Sequence, residues 1–503
     1  MNPQILTRIA IACSCLFSAW LLGDVELRGD ISLPKIFSDH MVLQRDSRVK
    51  VWGTADPNQA LIVKFAGKET KVTATAKGDW NVVINTPGAG GPYELEVSAE
   101  GGEPKVVFND VMVGEVWLCC GQDNMELPVC KSLNAETEVE QSKNYPSIRL
   151  FSMGNYSSVE PMENIYKAVP WRVCSPESVK EFSASGYFFG RELSKRLKNA
   201  NGESIAIGLI DVAWGGTVCE AWISRATQDG VESLKPLLKH WDEDGDQPLS
   251  PLRPGNLYNG MIAPLKRFPI RGAIWYQGES NVGRGNQYAT LFPTLIRDWR
   301  KNFGLGDFPF YFVQLAPFDY PEKPFDSLAE IWDAQLKTFK SVENTRMVVT
   351  TDIGDLQQLS PPNKQEVGRR LALAALADVY ADQLPEGEAK PVYSGPIFDG
   401  ATVTEDGAIR VTFQYTHEGL KIRNDEPELL GFMICGEDGK FVPATAKIDG
   451  QRVEVSSPKI KTPKFVRFGW DKANPTNLVN SQGLPASPFR TDDFDLISKG
   501  RDF

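Results

Sequence analysis

A doubly wound α/β sheet carried between an N-terminal and a C-terminal β-sandwich domain is the architecture this sequence predicts, on three observations. Between residues 110 and 383, short apolar runs alternate with amphipathic helical patterns, as in a parallel sheet with helices on both faces. On either side, residues 31–109 and 384–503 alternate polar and apolar positions between Gly, Asn, Asp and Pro turns, the pattern of short antiparallel strands. The chain of 503 residues, 42% hydrophobic, is long enough for two or three separate cores. Its formal net charge of −11 disfavours nucleic acid or an anionic membrane as the main partner, since phosphate binding needs clustered Lys and Arg.

Taken in order, the chain opens with Arg8 ahead of an apolar stretch from Ile9 to Leu22, which reads as a secretory signal peptide over residues 1–23. The stretch is short against the roughly 20 residues of a membrane-crossing helix, so a secreted or periplasmic protein is expected. From Asp110 onward, strand-like runs cover Val116 to Cys120, Ile148 to Ser152, Ile205 to Asp211, Gly272 to Gln277, Phe310 to Leu315 and Met347 to Asp352. Helical patterns lie between them at Glu181 to Leu197, Gln287 to Asn302, Ser327 to Phe339 and Lys364 to Tyr380. Residues 228–254, polar, acidic and proline-rich, read as a surface excursion.

The run Val116 to Cys120 is continuously apolar, as in a strand buried on both faces, and Gly121 stops it. In open α/β sheets the loop at the carboxyl end of such a strand faces a crevice, so Asp123 sits where a nucleophile would sit. Gly215 and Gly216 follow a second strand in a loop where a backbone N–H can approach a ligand. Gln277, Glu279 and Asn281 follow a third, where a carboxamide suits an ester carbonyl or a sugar hydroxyl, or else satisfies the loop's own backbone. Asp123, Glu279, Asp352 and Asp355 gather near the same edge, where carboxylates serve acid/base work or simply hold loops and cations of the protein. Trp214, Trp222, Trp275 and Tyr276 flank these loops and read mainly as core, with one or two available to a sugar ring.

Cys119, Cys120, Cys130, Cys174, Cys219 and Cys435 lie in core-like runs without the density of a disulfide scaffold, and read as buried small hydrophobes. No CxxC pair or His/Cys cluster is present, so neither a metal nor a cofactor is expected.

VWLCCGQDNM resembles the signature of the sialate O-acetylesterase family of SGNH hydrolases, in which a serine follows Gly-Gln. The resemblance extends over LPKIFSDHMVLQR, WRVCSPESVKEFSASGYFFGREL, GLIDVAWGGTVCEAWIS, LYNGMIAPLKRFPIRGAIWYQGESN, VGRRLALA and NLVNSQGLPASPFRTD, in the family's order. It implies an SGNH-hydrolase-like fold and cofactor-free removal of acetyl groups from an O-acetylated sugar or glycan. It also implies a backbone N–H of Gly216 and a side chain from Gln277 or Asn281 as oxyanion-hole donors, with Gln122, Asn124, Glu279 and Trp214 near the substrate.

The family's serine is here Asp123. Where its last loop carries Asp and His, alignment on Pro361, Asn363, Lys364 and Val367 puts Gln358 and Ser360. A serine esterase needs a hydroxyl activated by an imidazole and a partner that fixes the imidazole's tautomer. Losing a whole triad costs about a millionfold in turnover. Only His40, His240 and His417 exist, none of them near these loops in sequence. The expectation is a catalytically impaired homologue that keeps a carbohydrate-binding crevice, with Asp123 filling the hole meant for the oxyanion. The alternatives are an acetylesterase of altered mechanism using Asp123, and a structural or adhesive protein in which the β-domains matter.

Overall fold

The computed structural model describes residues 30–501, apart from residue 200 and residues 244–246, 385–386 and 472–474. The signal-peptide reading over residues 1–23 lies outside the described residues. Among the described residues, no helix is long and apolar enough to cross a membrane.

The molecule is built on a mixed sheet whose seven central strands are β1 (Lys105–Gly121), β2 (Ile148–Met153), β3 (Ala168–Val173), β4 (Ala206–Ala213), β5 (Gly272–Tyr276), β6 (Phe310–Gln314) and β7 (Thr345–Val349). Their spatial order is β7-β6-β5-β1-β4-β2-β3. All neighbours pair in parallel except β2 with β3. Strand β1 has two halves with different jobs. Its start pairs antiparallel with Gly90–Ala99 of the N-terminal β-region, and its end lies between β4 and β5. The boundary expected at residues 109 and 110 therefore falls inside one continuous strand, and the N-terminal region joins the central sheet.

From Val113 to Gly121 every residue of β1 is buried, because helices cover both faces of the sheet and leave no side for polar alternation. Helix α2 (Ala184–Arg196) packs closely enough that a Cβ at Gly186 would lie 2.9 Å from the Cys119 Sγ. Trp117 stacks its edge on Phe189 and donates its indole N–H to the Tyr380 hydroxyl at 3.0 Å. The remaining long helices are α4 (Gly285–Phe303), α5 (Ser327–Ser341) and α6 (Lys364–Ala377), numbered after α3 (Lys235–Glu243). The acidic excursion thus contains α3, which buries Leu237 and Leu238, so it is more than a polar loop.

Beyond residue 396 the chain forms two four-stranded antiparallel sheets and a short two-stranded one. One sheet joins Ile397–Val403, Ile409–Gln414, Arg452–Ser456 and Thr445–Asp449, and the other contains Phe432–Cys435 and Phe465–Phe468. Phe398, Phe432, Phe468 and Phe489 bring their rings together there. The six described cysteines are free thiols, five of them buried and Cys130 partly exposed, so the reading as small hydrophobes holds for five.

Candidate active-site crevice

Parallel strands put their carboxyl ends on one side, so the loops after β1, β4, β5 and β7 converge. Gly121 ends β1 at φ +148, with Tyr276 O only 2.1 Å from where a Cβ would be, a backbone approach that only glycine permits. The chain then turns into a short helix, α1 (Asp123–Glu126).

Asp123 is half-buried, and its Oδ2 accepts the Gly216 backbone N–H at 2.7 Å and the Gln122 side-chain N–H at 3.0 Å. One turn on, Glu126 Oε2 accepts the Gly215 N–H at 2.7 Å. Consecutive amides of one glycine loop therefore hold two carboxylates. Nearby on β4, Asp211 has a buried Oδ1 without a hydrogen-bond partner among the described residues, and burial together with the charge of Glu126 pushes its carboxyl well above the usual range. A cleft of about 380 Å³ opens here, lined by Asp123, Glu126, Leu127, Pro128, Lys131, Glu181 and Ser360. Among the described residues, no group of three or more His, Cys, Asp or Glu could hold a metal ion.

Behind the cleft, Asn124 ties three segments together. Its Nδ2 donates to Glu279 Oε1 and to Leu359 O, and its Oδ1 accepts from Lys364 Nζ at 2.7 Å. Lys364 also donates to Pro361 O, so the carbonyls on both sides of Ser360 are clamped. Glu279 is 7% exposed, and its Oε2 is buried without a hydrogen-bond partner among the described residues. Burial, opposed by the Asn124 bond, raises its carboxyl from 4.5 to about 7. Lys364, 1% exposed, is lowered from 10.5 to about 7 by burial, against the pull of Glu279.

Gln277 and Asn281 are fully buried and heavily engaged. The Gln277 amide donates to Thr217 O at 3.2 Å and Asn281 Oδ1 at 2.7 Å, which uses both of its hydrogens. Asn281 also accepts the Cys219 N–H at 2.9 Å and donates to Glu220 at 2.9 Å, leaving one amide hydrogen over. Gln122 is buried and braces the turn against Gly278 and Ser280. Trp214 is partly exposed, whereas Trp222, Trp275 and Tyr276 are core.

Of the last loop's two aligned positions, Ser360 lines the cleft and Gln358 does not. Gln358 is exposed and turns back on Asp355, with its Nε2 2.9 Å from the Asp355 Oδ2. Asp352 forms a two-pronged pair with Arg370 at 2.7 Å, and Asp355 accepts the Gln357 N–H at 2.8 Å. Glu279 meets Asn124 where an Arg or Lys partner was expected. His40 bonds Asp110 at 2.7 Å, His240 lies in α3 and His417 in a left-handed turn of the C-terminal region; none lines the cleft. Sequence reasoning missed Glu126, Glu181 and Lys131 as cleft residues and Lys364 as the clamp. The Asn363-Lys364 pair at the start of α6 marked this loop in the sequence without pointing to the clamping role.

Residues 113–377 match the family model described as carbohydrate esterase, sialic acid-specific acetylesterase. The sialate O-acetylesterase of Mus musculus is 31% identical over 514 residues, covering 90% of this chain and 92% of its own. That of Homo sapiens is 30% identical over 498 residues, covering 90% and 91%. A carbohydrate acetylesterase of Xanthomonas citri has a crystal structure that superposes with a TM-score of 0.82 at 36% identity, over 92% of this chain and all of the other. With the match running from the buried half of β1 to the end of α6, and about nine-tenths of the chain aligned with the relatives, this protein belongs to the sialic acid-specific acetylesterase family of carbohydrate esterases.

Proposed function

We propose that this chain is an exported member of its family, SGNH-like in its central domain and β-sandwich in its flanks, that has lost ester hydrolysis and kept a sugar-binding crevice. The observation that carries the reading is the 2.7 Å bond from Gly216 N–H to Asp123. An N–H that would stabilise a developing oxyanion is occupied by a resident negative charge, which repels a second one. The imidazole of a serine triad has no replacement: Ser360 is an alcohol, Lys364 is bound to Asn124 and Pro361, and among the described residues no imidazole borders the cleft. The clamped loop and the cleft of about 380 Å³ support retention of a binding site. An O-acetylated sugar or glycan is the ligand class that the family implies.

The test is acetate release from O-acetylated sugars by the unaltered protein and by the triple variant Asp123→Ser, Gln358→Asp, Ser360→His. No release by the first and release by the second supports the reading. Release by the unaltered protein sinks it, and an acetylated Asp123 found by mass spectrometry during that turnover would assign an aspartyl mechanism instead.

A further inference from the structure

Resting on the reading of a retained sugar crevice, we propose that this crevice selects sugars bearing an ammonium group over sugars bearing a carboxylate. Asp123 and Glu126 supply the chemistry. Oδ2 of Asp123 is taken by Gly216 and Gln122, but its Oδ1 accepts no hydrogen bond among the described residues, and Asp123 lines the cleft. Glu126 presents Oε2 to the Gly215 N–H, and its Oε1 has only a 3.5 Å contact with the amide of Asn155. The two carboxylates are close: a Cβ built on Gly215 would lie 2.7 Å from Glu126 Oε2 and 2.9 Å from Asp123 Oδ1.

Cations that could offset this pair are committed elsewhere. Lys364 is buried against Asn124 and Pro361, Arg284 holds Glu220 at 2.7 Å, and Arg370 holds Asp352. At the exposed rim, Glu181 and Lys131 carry opposite charges and are screened by solvent. The half-buried floor is therefore acidic, with an unused acceptor. A sugar carboxylate would add a third negative charge there. An ammonium brings three donors and the opposite charge, so its hydrogen bonds to these oxygens are charge-assisted.

The test is calorimetric titration of the full chain at pH 6 with three trisaccharides: glucosamine trisaccharide, its N-acetylated counterpart and sialyllactose. The amino sugar is expected to bind at least about tenfold tighter than its acetylated counterpart, and sialyllactose weakest of the three. Asp123→Asn and Glu126→Gln, which keep shape and remove charge, are each expected to shrink the amino-sugar preference at least about threefold, with unchanged melting temperature. Glu405→Gln, which removes an exposed carboxylate of the C-terminal region outside the cleft, is expected to change little. Sialyllactose binding as tightly as the amino sugar overturns the inference and leaves the sugar-binding reading standing. An amino-sugar preference that survives both floor variants reduces the effect to general attraction by an acidic protein, and overturns it too. No binding of any of the three overturns the inference and the binding half of the proposed function together.

Discussion

Gly216 points its backbone N–H at the carboxylate of Asp123 across 2.7 Å, in a left-handed conformation at φ +71. The bond joins the loop after β4 to the second residue after β1, so one side chain decides what that N–H can do for a ligand. Asp123→Ser removes the carboxylate and restores an alcohol, but supplies no base. Acetate release by this single variant is expected to stay within about tenfold of the unaltered protein. The triple variant with Gln358→Asp and Ser360→His is expected to exceed it by about 10³ or more, within the range a complete triad contributes. Equal rates for single and triple variants would mean that position 358, turned toward Asp355, cannot orient an imidazole at 360.

Two glycines near the crevice make opposite predictions. At Gly121 a Cβ would lie 2.1 Å from Tyr276 O, inside the pairing of β1 with β5, and φ is +148. Gly121→Ala is expected to cost at least about 3 kcal/mol in urea unfolding, because backbone on a central strand must move. At Gly216 a Cβ meets nothing within 4 Å, so Gly216→Ala is expected to cost about 1 to 2 kcal/mol from φ alone and to leave the fold intact. A smaller loss at 121 than at 216 would contradict the close approach of the two strands.

How much of this was legible beforehand follows from what each residue's role depends on. Val116 to Cys120 was readable as a strand because burial on both faces leaves a continuous apolar run, and Asp123 was readable because it follows that strand directly. Met347 to Asp352 was placed too late. The strand runs from Thr345 to Val349, because Thr345 pairs with Phe310 and Thr350 turns its hydroxyl to Gln314 O. Glu126 and Lys364 were not readable as site residues. Their roles come from Gly215, 89 positions away, and from Asn124, 240 positions away. Whether Gln358 faces the crevice was not readable, because its orientation is set by a tight turn to Asp355 that spacing does not reveal.

Asn281 carries the third prediction. Its carboxamide accepts from Cys219 N and Gln277 and donates to Glu220, all at 0 to 1% exposure. Asn281→Ala would leave the Cys219 N–H and one Gln277 hydrogen buried without acceptors. A loss of about 2 to 4 kcal/mol in urea unfolding is expected, at several times the cost of an exposed Asn→Ala change. A loss under about 1 kcal/mol would show that water or a shifted side chain readily replaces it.

The buried pair Glu279 and Lys364 should be visible in the pH dependence of stability, with opposite slopes on either side of neutrality. Glu279 is raised from 4.5 to about 7, so between those values the folded protein keeps a proton that the unfolded chain has released. Stability from this group therefore falls as pH rises from 4.5 to 7. Lys364 is lowered from 10.5 to about 7, so between 7 and 10.5 the folded protein has lost a proton that the unfolded chain retains. Stability from that group rises with pH across this window. Other titrating groups contribute their own slopes, so the comparison is with Glu279→Gln and Lys364→Met at pH 5, 7 and 9. The stability of the unaltered protein relative to Glu279→Gln is expected to drop from pH 5 to 7. Relative to Lys364→Met it is expected to climb from pH 7 to 9. A difference that stays flat across either window would mean that the corresponding group titrates near its ordinary value, and that Asn124 bridges a permanently ionised pair.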